Sequence, residues 1–159
     1  MKRFSIFIPG IFCGLLFFAA FVRTNQAASD PVQQVTDLEK AVNAAYEAND
    51  LPKYFSYYAD DFSQFLPEGR TDLPAYKKQW TEFIAQGNRV EKVDLSDMKV
   101  QIGPNGDTAV VSYILNVRNK LKDGSVSQEA NQESDVLFKR NGQWKIVFLH
   151  YSAVPNAAH

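Results

Sequence analysis

Residues 107–152 carry the pattern that most limits how this chain can fold. Apolar and polar residues alternate along three stretches, and the two joins between them are Lys122-Asp123-Gly124 and Asn141-Gly142. Asp-Gly and Asn-Gly reach the positive φ angles that tight hairpins need, so the runs Ala109-Val110-Val111-Ser112-Tyr113-Ile114-Leu115 and Trp144-Lys145-Ile146-Val147-Phe148-Leu149 read as strands of one antiparallel meander.

The segments before the meander are helical. Asp30-Pro31 is a cap residue followed by proline at the first helical position. Val32, Val35, Leu38, Val42 and Ala45 then recur at three- and four-residue spacing, which predicts an amphipathic helix ending near Asn49. Asp50-Leu51-Pro52 restarts a short helix crowded with Tyr54, Phe55, Tyr57 and Tyr58. A strand over residues 62–66 follows and stops at Pro67-Glu68-Gly69. Asp72 and Pro74 open a third helix whose stripe is Tyr76, Trp80, Phe83 and Ile84, and Gln86-Gly87 close it. Residues 90–102 read as a strand, and Pro104-Asn105-Gly106-Asp107 turns into the meander. Helices first and antiparallel strands after define an α+β domain, its helices against one face of a curved sheet.

Lys2 and Arg3 precede an uncharged run over residues 4–22, the layout of a secretory signal peptide, with small residues for cleavage at Ala27-Ala28. The expected organisation is a leader over 1–28, one domain over 29–155 and a tail over 156–159, with the product exported to a periplasm or secreted. An uncleaved anchor is the rival reading, because the run nearly spans a membrane, although Pro9, Gly10 and Gly14 interrupt it. Cys13 leaves with the leader, so packing alone must hold the domain. Losing Lys2, Arg3 and Arg23 leaves 14 basic residues (from 17) against 18 acidic ones. That balance argues against a nucleic-acid partner, since phosphate binding needs a basic face.

Asn49-Asp50-Leu51, Tyr58-Ala59-Asp60-Asp61-Phe62, Pro67-Glu68-Gly69 and Asn141-Gly142-Gln143-Trp144-Lys145-Ile146-Val147, running on to His150-Tyr151-Ser152, together resemble the nuclear transport factor 2-like superfamily. The SnoaL-like and ketosteroid-isomerase-like members are the nearest in pattern, and the resemblance covers residues 31–155. It implies a cone in which three helices pack on a strongly curved, mixed but mainly antiparallel sheet around a pocket, with dimers formed through the outer sheet face. It also implies where isomerase residues would stand. The general base falls at Leu66, the oxyanion-holding tyrosine at Val42 and the protonated acid near Ser134, so dienolate chemistry would lack its base and both donors. Gln132 and Phe148 stand where SnoaL-like relatives often carry arginine and histidine.

His150 is the family-like polar residue that remains. Period-2 alternation places it with Trp144, Ile146, Phe148 and Ser152, either as an acid/base at the pocket floor or as a satisfied core histidine. Tyr113 shares the inward face of its strand with Ala109, Val111 and Leu115 and is the partner such a catalyst would use. Glu129, Asn131, Glu133 and Asp135 share one strand face, read as a solvated outer face or rim in preference to a carboxylate pair for acid/base work. Asp60-Asp61 reads as turn capping. No motif for a metal or other cofactor is present, and none is expected. The expected pocket wall is Tyr58, Phe62, Trp80, Tyr113, Gln132, Phe148 and His150, suited to an apolar or aromatic small molecule. Val110, Ile114, Val147, Leu149 and Tyr151 make the second sheet face apolar too, which calls for a homodimer. Two functions fit: a small-molecule-binding domain, or an isomerase, dehydratase or cyclase using His150 and Tyr113.

Overall fold

The computed structural model describes residues 30–66 and 68–155. The expected leader and the tail lie outside the described residues, and no helix among those described is long and apolar enough to cross a membrane.

Among the described residues three helices and six strands follow in the order α1 (Pro31–Glu47), α2 (Leu51–Phe55), β1 (Tyr58–Leu66), β2 (Gly69–Asp72), α3 (Leu73–Ala85), β3 (Arg89–Ile102), β4 (Thr108–Lys120), β5 (Val126–Arg140) and β6 (Gln143–Ala153). The strands form one open sheet ordered β2-β1-β6-β5-β4-β3, with the helices packed on one face. Every pairing is antiparallel except β1 with β6. The α+β reading and the mixed, mainly antiparallel sheet are therefore both found.

Local chemistry sets the boundaries. Asp30, Asp50 and Asp72 cap the three helices, each accepting a bond from a first-turn backbone N–H, and each helix carries proline in its first turn. Asn49 sits at φ +57° just past α1. From there its amide exchanges two hydrogen bonds with the Val90 backbone, Nδ2 donating to the carbonyl at 2.8 Å and Oδ1 accepting from the N–H at 2.9 Å. One side chain thus fastens the end of α1 to the start of β3. Asn141 and Gly142 have φ of +51° and +78°, the two positive values of a type I′ hairpin. Strand β1 begins four residues earlier than residues 62–66, and the polar β2 (Gly-Arg-Thr-Asp) has no apolar alternation by which the sequence could announce it.

A bulge in β6 decides which side chains enter the cone. Val136 faces Phe148 and Leu137 faces Ile146, so Val147 is an extra residue without a partner. Period-2 alternation therefore reverses there. Trp144 and Ile146 point inward, but so do Leu149 and Tyr151, while His150 becomes exposed. The expected inward set Trp144, Ile146, Phe148, His150 and Ser152 is corrected after its second member. The outer face loses Leu149 and Tyr151 and keeps an apolar character through Val110, Ile114, Val136, Phe138, Phe148 and Phe65.

Candidate functional site: an aromatic cavity over a buried carboxyl cluster

The inner faces of β4 and β5 alternate without interruption. On β4 this buries Ala109, Val111, Tyr113, Leu115, Val117 and Asn119; on β5 it buries Asn131, Glu133, Asp135 and Leu137. Glu129, Asn131, Glu133 and Asp135 do share a face, as their spacing requires, but the expected solvated face is corrected for Glu133 and Asp135. They lie inside, at 8% and 1% exposure. Helix α1 adds a third acid from above. Glu39 falls within the stripe Val35, Val42 and Tyr46 and is fully buried.

Tyr113 joins two of these acids. Its hydroxyl lies 2.5 Å from Glu133 Oε1 and 3.0 Å from Asp135 Oδ2. A phenol has one hydrogen to donate. If both contacts are hydrogen bonds, one carboxyl must carry a proton and donate in return. Burial agrees with that count. It pushes Glu39 up to about 8, reinforced by the Glu133 charge, and Glu133 up to about 7 against the opposing pull of the Tyr113 hydroxyl. Asp135 is raised well above the ordinary aspartate range by burial and by Glu39 and Glu133. Both Glu39 oxygens and Asp135 Oδ1 lack hydrogen-bond partners, as do both polar atoms of the fully buried Gln64. Gln64 lies in the same row across the sheet, opposite Leu149, which in turn faces Asp135. Ionised, these acids would be buried without counter-charge, a large penalty; protonated, they are tolerable. Among the described residues no group of three or more His, Cys, Asp or Glu side chains is arranged to hold a metal ion.

Above Glu133 the helices and sheet leave a cavity of about 220 Å³. Helix α1 contributes Val42, Asn43 and Tyr46; α2 and β1 contribute Tyr54 and Tyr58; α3 contributes Tyr76, Gln79, Trp80 and Phe83. The sheet contributes Leu115, Val117 and Asn119 from β4, Glu129, Asn131 and Glu133 from β5, and Tyr151 from β6. Three phenols form a relay along the wall, Tyr58 donating to Tyr54 at 2.7 Å and Tyr54 lying 2.7 Å from Tyr76. Burial raises all three above the ordinary tyrosine range. Tyr46 stacks on Tyr54 and meets Trp80 edge to face, so the rings brace one another.

Of the expected pocket wall, Tyr58 and Trp80 line this cavity. Phe62 is buried in the core behind it, stacked on Tyr76, and Tyr113 lies beneath it, beside Glu133. Gln132, Phe148 and His150 are elsewhere. Gln132 is exposed between Ile114 and Ser152, and Phe148 pairs across the outer face with Val136 and Ser63. His150 is exposed with Nδ1 2.8 Å from the Phe65 carbonyl oxygen. The expected His150–Tyr113 partnership does not form, because the β6 bulge turns the imidazole away. Ser134, where the isomerase acid was expected, pairs with Ser112 and His150 and is exposed, while its neighbours Glu133 and Asp135 face inward. Glu39 went unnoticed because a charged residue inside an apolar helical stripe carries no separate motif.

The fold and this partly open, partly polar cavity define an NTF2-like cone. In structure the chain is similar to an NTF2-like protein of Rhodospirillum rubrum (TM-score 0.65, 21% identity, 76% of this chain and 98% of that one). It is similar also to a ketosteroid isomerase-like protein of Erwinia carotovora atroseptica (0.66, 17%, 80% and 98%). A third likeness is to a putative calcium/calmodulin-dependent kinase II association domain of Exiguobacterium sibiricum (0.69, 17%, 82% and 98%). At these identities the likeness establishes the fold alone. No curated protein matches by sequence. The family profile of the SnoaL-like domain matches residues 35–157, and the chain belongs to that family.

Proposed function

We propose that this SnoaL-like domain binds a small molecule with an apolar or aromatic body in the cavity between its helices and sheet. The observation that carries the reading is the cavity itself, about 220 Å³ walled by Tyr46, Tyr54, Tyr58, Tyr76, Trp80 and Phe83, with the amides and carboxyls of Asn43, Gln79, Asn119, Asn131, Glu129 and Glu133 between them. Small-molecule sites are concave, with aromatic walls that hold the ligand's body and convergent polar groups that orient it. Trp80 is the built-in reporter, and Trp144, whose indole N–H donates to Gln34, lies outside the cavity. In a Trp144→Phe variant, one-ring compounds should perturb Trp80 emission saturably. A folded protein whose Trp80 responds to none of several hundred such compounds would overturn the reading.

The Tyr113 contacts with Glu133 and Asp135 favour a second reading, an isomerase, dehydratase or cyclase. A carboxyl held near 7 is matched to proton transfer at neutral pH. Here Glu133 and Tyr113 would carry the chemistry and His150 would not. Turnover abolished by Glu133→Gln and retained by His150→Ala supports it; turnover that needs His150 sinks it.

Two further properties belong to the same proposal. The first 28 residues direct export and are removed, which N-terminal sequencing of the product checks. Two copies associate through the outer sheet face carrying Val110, Phe138 and Phe65; a monomeric mass in solution refutes this.

A further inference from the structure

We propose that the ligand of this cavity presents a small alkylated ammonium group, tertiary or quaternary, to Glu133 and the surrounding rings. The inference rests on the cavity being a binding site and concerns the charge of what enters.

The cavity's charged side chains are Glu129 and Glu133; among the described residues no lysine, arginine or histidine lines it. Beneath Glu133 lie Asp135 and Glu39, whose carboxyl oxygens include three without partners. A second observation comes from β4, the neighbouring strand of the same sheet. Asn119, more than nine-tenths buried, lines the cavity with its Oδ1 unpartnered. An acceptor left dry and unpaired, as Asn119 Oδ1 is, is costly, and Glu133, although Tyr113 donates to it, has no cationic partner on the lining among the described residues.

The rings complete the argument. Tyr46, Tyr54, Tyr58, Tyr76 and Trp80 surround the space, and the face of an aromatic ring attracts a desolvated cation. A neutral apolar ligand would use the rings and leave the Glu133 carboxylate, to which Tyr113 already donates, without a counter-charge. An anion could take the unpartnered Trp80 N–H, but it would face Glu129 and Glu133 with no cationic side chain on the lining among the described residues to offset them. A primary ammonium or a guanidinium demands three to five acceptors at set positions. An alkylated ammonium spreads its charge over apolar methyl groups and needs only rings and nearby negative charge.

The acids and phenols around Glu133 set the pH response. Glu39 faces it from α1, Tyr113 from β4, and Asp135 and Glu129 are on its own strand. The wall tyrosines of α1, α2, β1 and α3, with Tyr151 of β6, also sense its charge. Burial keeps Glu133 protonated up to about pH 7, so a cation must displace a proton to bind below that. Affinity for a permanent cation rises as pH rises through 7.

Three probes of one shape and different charge test this on the folded protein: choline, 3,3-dimethylbutan-1-ol and 3,3-dimethylbutanoate, titrated by calorimetry or NMR at pH 8 and pH 5. Choline should bind at least about tenfold more tightly than the alcohol at pH 8. Its advantage should shrink at pH 5, and Glu133→Gln should remove it while leaving the alcohol's affinity within about threefold. The pH series on the unmodified protein tests the charge independently of how the variant folds. Alcohol or carboxylate binding as tightly as choline overturns the ammonium assignment and leaves the binding site intact. No binding by any of the three overturns both.

Discussion

Replacing Glu39 by glutamine should flatten a pH dependence that the buried acids impose on stability. In the fold, burial beside Glu133 keeps the Glu39 carboxyl protonated up to about pH 8, against 4.5 for an ordinary glutamate. Between those values the folded chain holds a proton that the unfolded chain has released. Unfolding free energy then falls as pH rises, by about 1.4 kcal/mol per pH unit for one retained proton. The sign is that of a raised carboxyl: its stabilising contribution is complete below about pH 4.5 and is lost as pH rises through 8. From pH 5 to pH 8 a single site loses up to about 4 kcal/mol. Glu39, Glu133 and Asp135 titrate as a set, so that figure bounds the share of Glu39. Guanidinium midpoints at pH 5, 6, 7 and 8 provide the assay. Asp61 and Asp123 are held low, by Arg140 and by Ser125, and titrate below this window. Near pH 5 the variant should match the parent within about 1 kcal/mol, since an amide replaces a neutral acid of the same shape. At pH 8 it should be the more stable of the two. A parent whose stability is flat or rising from pH 5 to 8, or a variant with an unchanged slope, refutes the reasoning.

Other consequences are simpler to check. Tyr113→Phe leaves Glu133 and Asp135 without their shared hydroxyl and should cost about 1–3 kcal/mol in chemical denaturation; an unchanged midpoint would mean that the contacts carry no weight. Asn49→Leu removes both bonds to the Val90 backbone and the residue suited to φ +57°. The expected loss is about 2 kcal/mol, with amide exchange accelerated at Val90. Gly142→Val forces a β-branched residue to φ +78° and should lower stability by about 1–2 kcal/mol, whereas Gly142→Asn should be tolerated.

Those substitutions separate what was readable in the sequence from what was not. The caps at Asp30, Asp50 and Asp72, the helical stripes and the Asn141-Gly142 turn are local chemistry, and the three helix starts and the last hairpin lie where that chemistry puts them. Two things were not legible. A one-residue bulge at Val147 depends on how β6 meets β5 and on its parallel pairing with β1, so no alternation count along β6 could find it. It moved His150 and Phe148 out and brought Tyr151 in. The acids were visible as a set on β5, but whether that face was wet or dry depended on Glu39 arriving from α1, nearly a hundred residues earlier. Gln132 failed for a related reason: its place came from likeness to other chains, and the uninterrupted alternation of β5 puts it outside.

The parallel pairing of β1 with β6 has a consequence for the order in which the fold can assemble. Strand β6 is flanked by β1 on one side and β5 on the other, and Phe65 meets His150 across 85 positions. The meander β3-β4-β5-β6 can form by successive hairpins, each closing a short loop. The β1-β2 hairpin has no sheet to join until β6 is in place, and closing that contact means ordering a loop that contains most of the domain. The cone must therefore be completed from its C-terminal side. Shortening β6 would release the N-terminal hairpin, and with it Tyr58, from the wall of the cavity.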